Sequence, residues 1–565
     1  MSAWWQHEKH RREIMPEDIF FEATNRPALD ALQFEGRIER SISVRSIAAV
    51  GAVFAFIMLA FAAQALNLQV VNGTEYSDIS RNNRIDRSVL FAHRGILFDR
   101  NGIELAWNSV ATSSATSSDS TFAGRAYIEK PGFSHILGFV RYPKADASGE
   151  WWREEYIGIS GSERVFNERL AGANGSQMAE TDARGSLVRE DILDPPRDGE
   201  SIHLAIDAEL QAELARVLQD HAASQGFVGG AAAIMDVQNG ELIALTSFPE
   251  YDNAAFSRGD AAVVQAANTD ASTPMLNRAI AGLYTPGSIV KPIFAIAALE
   301  EGIISPQKSI LSTGSISIPN TYFPDQPSIF RDWKAHGWVD MRRAIAVSSD
   351  VYFYAIGGGF EDQKGLGIER IDEYARKFGL GRLTGIIYGS EAEGVIPTPE
   401  WKEKVFDGDP WRLGDTYNTA IGQYGFQITP LQAVRFTAAI ANGGLLLEPH
   451  MEVGLPPNAE PIGVDDTNLQ VARDGMRQAV TDGGTAAALN IAGLEIAGKT
   501  GTAQVGMRNE SMNSWAIGFW PASGPKYAFA VMLEKAPAGT NSGAAPAMSR
   551  FFTWLRDNKP EYAQP

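Results

Sequence analysis

Ser288 and Lys291 form a residue pair that could carry out nucleophilic acyl transfer. They lie in the segment 284–291, YTPGSIVK, where a Pro-Gly pair closes a loop and the apolar run Ile293–Leu299 predicts a helix. Ser288 is therefore expected in the first turn of that helix, where its backbone N–H is unpaired and free to bind an oxyanion. Lys291 follows three residues later, so its amine faces the same side as the serine hydroxyl. A lysine that is desolvated beside other cations can remove the proton from such a hydroxyl.

The Ser-x-x-Lys spacing is weak evidence alone, because the chain repeats it at Ser305–Lys308 and Ser523–Lys526. The first repeat is a polar helix exit and the second is a Gly-Pro turn, so neither places a serine at a buried helix start. On its own, the Ser288 pair could equally belong to an ordinary surface helix.

Two further motifs strengthen the assignment. One is Ser348-Ser349-Asp350, followed by the aromatic run YFY, and the other is Lys499-Thr500-Gly501-Thr502 in a strand-like segment. Taken alone, Ser348 would be interpreted as a helix cap and Asp350 as a solvated charge. In this order, the three motifs resemble the set found in penicillin-binding proteins and class A β-lactamases.

Other ligand sites are not indicated. The segment 493–500, GLEIAGKT, fits a nucleotide-binding P-loop, but its residues are strand-like and no helix begins after it. The eight histidines are scattered and show no metal-ligand spacing beyond residue 70, and His336 near Asp325 and Asp332 is interpreted as a satisfied side chain. We expect no metal and no cofactor.

The three motifs must be positioned by the helices and strands of the main region, residues 201–560, and the strands are predicted near both ends of this region. Asp207 is a good N-cap for a helix over Ala208–His221, after a strand over Leu204–Ile206, and an Asn-Gly turn predicts a hairpin. The pattern predicts an α+β domain whose antiparallel sheet joins both ends around a helical lobe. The ranges are strands 231–235, 242–246, 495–505, 514–520 and 527–533, a largely helical stretch 262–445, and a last helix 547–555 that begins at Pro546.

The composition excludes several functional classes. The 565-residue chain has a net charge of −19 and lacks a basic footprint for nucleic acid. It contains no cysteine, which excludes disulfides, thiolate metal sites and a cysteine nucleophile.

One uncharged apolar run, Ile47–Ala63, is long enough to cross a membrane. Arg37, Arg40 and Arg45 precede it and Arg81 is the next basic residue, so the N-terminus is expected in the cytoplasm and the rest outside. A cleaved signal peptide and a buried core helix are the alternatives. The long segment before the run disfavours the first, and the lack of an amphipathic face disfavours the second.

Four parts are expected along the chain: a cytoplasmic tail over 1–45, a transmembrane anchor over 46–68, a β-rich pedestal over 69–200 and the main domain over 201–560. The Ser/Thr/Ala-rich segment Ser109–Ser120 is predicted to be a flexible loop in the pedestal.

The part beyond the anchor resembles a class B penicillin-binding protein, a monofunctional peptidoglycan D,D-transpeptidase. The resemblance includes the segments RGILFDRNG at 94–102, GISGSE at 158–163 and NRA at 277–279. Asp350 and the YFY run after it favour the elongation-specific type 2 over the division type. There are departures: His93 replaces a usual proline, the segment 103–150 is short, and the cysteine of a zinc cluster found in some relatives is missing.

The resemblance implies a serine β-lactamase-like fold and a stem-peptide donor that ends in D-Ala-D-Ala. Ser288 would attack the penultimate carbonyl with Lys291 as general base, and Asp350 would complete the second motif. Ser348, helped by Lys499, would relay a proton to the leaving D-Ala.

The strand with the third motif would hold the donor. The backbone N–H groups of Ser288 and Thr502 would form the oxyanion hole, while the Thr500 and Thr502 hydroxyls, on either side of Gly501, would bind the terminal carboxylate. β-Lactams resemble the donor and would acylate Ser288.

The partners that the resemblance implies are stem peptides, β-lactams, the membrane and a glycan polymerase of the shape, elongation, division and sporulation family. The expected role is cross-linking during cell-wall elongation and shape maintenance at the cell membrane. The alternatives are a division-specific transpeptidase, a D,D-carboxypeptidase or β-lactamase, and a non-catalytic scaffold for a polymerase.

Overall fold

A computed structural model describes residues 43–82, 85–109, 122–147, 150–181, 187–320, 323, 325–506 and 508–563. Residues 1–42 of the predicted cytoplasmic tail lie outside the described residues. Residues 110–120 of the predicted Ser/Thr/Ala-rich loop also lie outside them. The arginines at 37 and 40 are also outside the described part.

Helices and strands alternate along the described chain. The helices are α1 Val44–Leu66, α2 Gly73–Asn82, α3 Ser134–Leu137, α4 Gly161–Val165, α5 Asn167–Ala171, α6 Ala208–Gln225, α7 Asn253–Arg258, α8 Ala261–Thr269, α9 Lys291–Glu300, α10 Met341–Val347, α11 Asp350–Gly358, α12 Gly367–Lys377, α13 Pro399–Val405, α14 Leu413–Ala420, α15 Pro430–Ala441, α16 Asp466–Thr481, α17 Ala544–Asn558 and α18 Pro560–Ala563. The strands are β1 Ile85–Leu90, β2 Leu97–Phe98, β3 Glu104–Ser109, β4 Gly124–Tyr127, β5 Val140–Arg141, β6 Lys144–Ala145, β7 Trp151–Arg153, β8 Ile157–Gly158, β9 Gly175–Thr181, β10 Leu187–Asp194, β11 Ile202–His203, β12 Gly229–Asp236, β13 Leu242–Phe248, β14 Ile310–Ser312, β15 Ser315–Ile318, β16 Ser328–Arg331, β17 Gly337–Val339, β18 Leu445–Leu447, β19 Ala459–Pro461, β20 Ala497–Val505, β21 Ser511–Trp520 and β22 Tyr527–Pro537.

The central sheet has the strand order β13-β12-β22-β21-β20, and every neighbouring pair is antiparallel. It joins residues 229–248 to residues 497–537, which confirms the predicted hairpin and the predicted assembly of the sheet from both ends of the region. Helices α6 and α15 both pack against the sheet, and α17 packs on α6. Because β20 is an edge strand, one of its sides has no strand partner within the sheet.

Most predicted elements of the main region are confirmed. Asp207 caps α6 by accepting hydrogen bonds from Glu209 N and Leu210 N. Two details of the prediction are wrong. The strand expected over 204–206 lies at β11, and only Leu204 continues it, through a single bridge to Glu452. Pro546 is the third residue of α17, not the first. The stretch 262–445 contains the predicted helices, α8–α15, together with four short strands, β14–β17, which are too short to show a period of two in the sequence.

The pedestal contains a buried ionic cluster. Glu163 accepts hydrogen bonds from Arg94 Nε at 2.6 Å and Arg125 Nε at 2.7 Å, and all three side chains are fully buried. Burial alone would raise the pKa of Glu163, but the two guanidinium groups lower it overall. Arg94 and Glu163 come from the two pedestal segments quoted for the family resemblance, so this ion pair ties those segments together.

Contacts divide the described chain into two compact units, one with residues 43–82 and Ile85 and the other with the remaining described residues. In the first unit, α1 continues into a π-helical turn, Asn67–Val71. The span Val44–Val71 is the one helix of the described chain that is long and apolar enough to cross a membrane, with a mean hydropathy of 2.4 in its most apolar window.

Candidate active site

Ser288 lies in a single 3-10 turn, Gly287–Val290, that leads directly into α9. The expected helix start is thus confirmed, and the Ser288 side chain is half-buried. Gly287 has φ 55°, and a Cβ atom there would stand 2.7 Å from the Thr502 carbonyl oxygen. Glycine is therefore needed at this position, because it lets the turn that carries Ser288 lie directly against β20.

Lys291 is the first residue of α9, and its side chain is fully buried. Its ammonium donates hydrogen bonds to Asp350 Oδ1 at 2.6 Å, to Ser348 O at 2.8 Å and to Ser348 Oγ at 3.3 Å. Among the described residues, no hydrogen bond joins Lys291 to the Ser288 hydroxyl. The second motif therefore fixes the position of the Lys291 amine, and Asp350 supplies the charge that compensates it.

Ser348 connects the second motif to the third. It ends α10 in the left-handed region, with φ 60°, and its hydroxyl accepts a hydrogen bond from Lys499 Nζ at 2.9 Å. Lys499 Nζ also donates to the Thr500 carbonyl oxygen at 2.8 Å. Burial and the nearby Lys291 charge hold the pKa of Lys499 well below its ordinary value. Two lysine amines thus flank one serine hydroxyl, an arrangement that can pass protons between them.

The third motif lies on the edge strand β20, where side chains alternate between buried and exposed. Lys499 and Gly501 are buried, Thr500 is half-buried and Thr502 is exposed. A Cβ atom on Gly501 would stand 2.7 Å from the Pro286 carbonyl oxygen. The structure therefore brings Ser288, the second motif and the third motif to one place, with the Thr502 side chain open to solvent beside them.

Two residues that support the site were not predicted. Asp332 Oδ2 accepts hydrogen bonds from Ser349 Oγ at 2.8 Å and Val351 N at 3.0 Å, which fixes the start of α11 and with it Asp350. Gln423 Nε2 donates to the Thr502 carbonyl oxygen at 3.4 Å. Asp332 lies in a loop whose sequence has no helix or strand periodicity. Its position before the second motif was therefore the one sequence feature that could have indicated its supporting role.

The histidine near Asp332 behaves as a buried neutral side chain. His336 Nε2 lies 3.4 Å from Asp332 Oδ1 without forming a hydrogen bond, and burial lowers the pKa of His336. No group of three or more His, Cys, Asp or Glu side chains in the described ranges could hold a metal ion.

Comparison with known families identifies the fold around these motifs. The family described as penicillin binding protein transpeptidase domain matches residues 230–553. The chain belongs to this family. A second family, described as penicillin-binding protein dimerisation domain, matches residues 119–204 in the expected pedestal. The predicted penicillin-binding fold with a pedestal is confirmed.

Two relatives are peptidoglycan D,D-transpeptidases named MrdA. The peptidoglycan D,D-transpeptidase MrdA of Haemophilus influenzae is 32% identical over 475 residues, which cover 77% of this chain and 70% of that protein. The MrdA protein of Escherichia coli K12 is 28% identical over 599 residues, with coverage of 88% and 91%.

Solved structures give the same result. The crystal structure of Pseudomonas aeruginosa PBP2 in complex with WCK 5153 has a TM-score of 0.67 and 31% identity, covering 85% of this chain and 100% of that one. The Helicobacter pylori PBP2–MreC complex has a TM-score of 0.69 and 25% identity, with coverage of 84% and 99%. A chain of a peptidoglycan synthase complex that coordinates polymerization and crosslinking has a TM-score of 0.70 and 26% identity, with coverage of 91% and 98%. The predicted similarity to penicillin-binding protein 2 is confirmed.

Proposed function

We propose that the chain is a peptidoglycan D,D-transpeptidase of cell-wall elongation that works through an acyl-enzyme on Ser288. The observation that carries the mechanism is the buried network in which Lys291 and Lys499 both bond to Ser348 beside the turn that holds Ser288. Membership of the family and the similarity to type 2 relatives support the reaction class.

In the acylation step, the Ser288 hydroxyl oxygen bonds to the carbonyl carbon of the penultimate D-Ala. Its proton passes to the Lys291 amine, which must first have lost its own extra proton. The backbone N–H groups of Ser288 and Thr502 stabilise the oxyanion that forms. When the C–N bond breaks, the leaving D-Ala takes a proton through Ser348, with Lys499 beside it.

The donor peptide is proposed to lie along β20. An edge strand offers unpaired backbone groups, so an extended peptide can add to it as a further strand. The Thr500 and Thr502 hydroxyls, near the Lys499 amine, then meet the terminal carboxylate. An acceptor amine from a second stem peptide attacks the ester carbon, and Ser288 regains its proton as the cross-link forms.

Mapping of a covalent adduct tests the proposal. We expect that the purified full chain, incubated with benzylpenicillin and digested, yields one peptide with the added mass of the drug, and that fragmentation places this mass on Ser288. The physical reason is that Ser288 lies in the turn that opens α9, where its N–H can bind an oxyanion, and that Lys291 follows it three residues later. An adduct that maps to another residue would contradict the assignment.

The domain division is also proposed: a pedestal over 69–200 and a transpeptidase domain over 201–560. The family matches at 119–204 and 230–553 support it. The apolar segment 46–68 is proposed to anchor the chain once, with residues 1–45 in the cytoplasm and both domains outside.

A membrane glycan polymerase of the shape, elongation, division and sporulation family is the proposed partner. Two anchors confined to one membrane meet at high effective concentration, so a modest interface suffices. We expect the native chain to retain such a polymerase during purification in detergent better than a chain whose residues 47–63 are replaced by an unrelated spanning helix. Equal retention would show that the anchor is not part of the interface, and an absence of any polymerase would refute the pairing.

The proposed topology is tested by a reporter fused to the C-terminus. A reporter that is active only in the cytoplasm would refute this topology.

A further inference from the structure

A small pocket lies directly behind the second motif. It has a volume of about 190 Å³ and is lined by the turn between β16 and β17, by one face of α10 and by the loop after α16. Its lining residues are Trp333, Lys334, Ala335, His336, Arg343, Val347, Gly483, Gly484 and Thr485. None of these residues has a role in the proposed reaction, so the pocket is separate from the groups that handle the scissile bond.

The pocket carries positive charge in a strongly acidic protein. Lys334 and Arg343 line it, no acidic side chain does, and the whole chain has a net charge of −19. The Arg343 side chain donates one hydrogen bond, from Nη1 to the Asp482 carbonyl oxygen at 2.8 Å. Within the described part of the chain, no carboxylate forms an ion pair with either cation. This local excess of positive charge favours an anionic ligand.

Two buried polar atoms in the lining also lack partners. His336 Nε2 and Thr485 Oγ1 are buried without a hydrogen bond, and the His336 side chain is only 5% exposed. Its nearest acidic oxygen, Asp332 Oδ1, lies 3.4 Å away without forming a hydrogen bond and accepts one from Trp333 N, while Asp332 Oδ2 accepts from Ser312, Ser349 and Val351. Unpaired buried polar groups cost free energy, so their presence in a pocket indicates a missing hydrogen-bonding partner.

The pocket shares its wall with the catalytic motif. Val347, which lines it, directly precedes Ser348, and the Val347 carbonyl accepts a hydrogen bond from Trp333 Nε1 at 3.2 Å. On the other side, Thr485 N donates to the Ala346 carbonyl at 3.0 Å. A group bound in the pocket therefore lies against Val347, the residue next to Ser348, whose hydroxyl is proposed to relay the proton.

We propose that this pocket is a carboxylate-binding subsite that recognises an acidic residue of the stem peptide upstream of D-Ala-D-Ala. The planar Arg343 guanidinium matches a carboxylate, and Lys334, Thr485 and a neutral His336 with its proton on Nε2 are further donors. The inference rests on the proposed function for the identity of the ligand. Its consequence is that the enzyme distinguishes stem peptides with a free side-chain carboxylate from those with an amide.

A competition experiment tests the subsite. Two synthetic pentapeptides that end in D-Ala-D-Ala and differ only in an upstream glutamate or glutamine are used to protect the full chain from labelling by fluorescent penicillin. We expect the glutamate peptide to protect the wild-type chain at a roughly 10-fold lower concentration, the effect of one charge-assisted hydrogen bond. In Arg343→Gln and Lys334→Gln this ratio should fall towards 1, while the labelling rate without peptide stays unchanged.

Arg342→Gln is the matched control. Arg342 neighbours Arg343 on α10 but pairs with Asp474 at 2.9 Å and does not line the pocket, so its replacement should keep the preference. Equal protection by both peptides in the wild-type chain, or an unchanged ratio in Arg343→Gln, would overturn the proposal. If the wild-type chain is not labelled at all, the proposed function fails. The subsite is then tested separately by calorimetric titration, which measures the affinity of the chain for the same two peptides. Thermal unfolding shows whether each variant is folded. If Arg343→Gln is not folded, Lys334→Gln still tests the subsite, because Lys334 is exposed.

Discussion

Replacing Ser288 with alanine is expected to abolish covalent labelling of the chain by fluorescent penicillin. The ester needs the Ser288 oxygen, and the neighbouring hydroxyl of Ser348 cannot replace it, because that hydroxyl is held by Lys291 and Lys499 at the end of α10 rather than at a helix start. The measurement is the fluorescence of the protein band after denaturing electrophoresis.

Ser305→Ala is the matched control for this experiment, because Ser305 begins a second Ser-x-x-Lys sequence, which lies at the exit of α9 and its turn. This variant should be labelled like the wild-type chain. Undiminished labelling of Ser288→Ala would show that another residue is the nucleophile.

Replacing Lys291 with alanine is expected to slow acylation by roughly 10²–10⁴-fold, the usual effect of losing a general base. Lys291 is the buried amine that follows Ser288 at the start of α9, and Asp350 and Ser348 fix its position. The rate is measured by stopping penicillin labelling at a series of times, and thermal unfolding shows that the variant is folded.

Lys308→Ala, at the equivalent position of the second Ser-x-x-Lys sequence, should keep the wild-type rate because Lys308 is exposed. The acylation rate of Lys499→Ala, compared with that of Lys291→Ala, shows which of the two lysines is the base. The low pKa of Lys499 makes its neutral form, which can accept a proton, more abundant than for an ordinary lysine. A normal acylation rate in Lys291→Ala together with a large loss in Lys499→Ala would assign the base to Lys499.

The sequence was informative where chemistry is encoded locally. The three motifs, the hairpin turn and the Asp207 cap are short patterns, and their residues carry the evidence themselves. The ion pair between Lys291 and Asp350 could not be derived in this way, because it depends on how α9 packs against α10 and α11. The roles of the individual site residues and the domain boundaries stay predictions.

Residues between the motifs were the hardest to interpret from the sequence. Asp332 supports the second motif through a side chain in an irregular loop, where no periodicity marks it. His336 was interpreted as a satisfied side chain, yet its Nε2 atom has no hydrogen-bond partner in the structure. Contacts of this kind are set by tertiary packing, which a single sequence does not encode as a pattern.

The close approach of glycines around Ser288 has a consequence for how the protein folds. A Cβ atom on Gly422 would overlap the Gly287 carbonyl oxygen, as one on Gly501 would crowd Pro286, so three distant backbone segments must meet before Ser288 has its geometry. Such long-range contacts form late in folding, after the loops between them have closed. A chain in which these segments have not yet met therefore lacks the geometry around Ser288, and the site is completed only together with the domain.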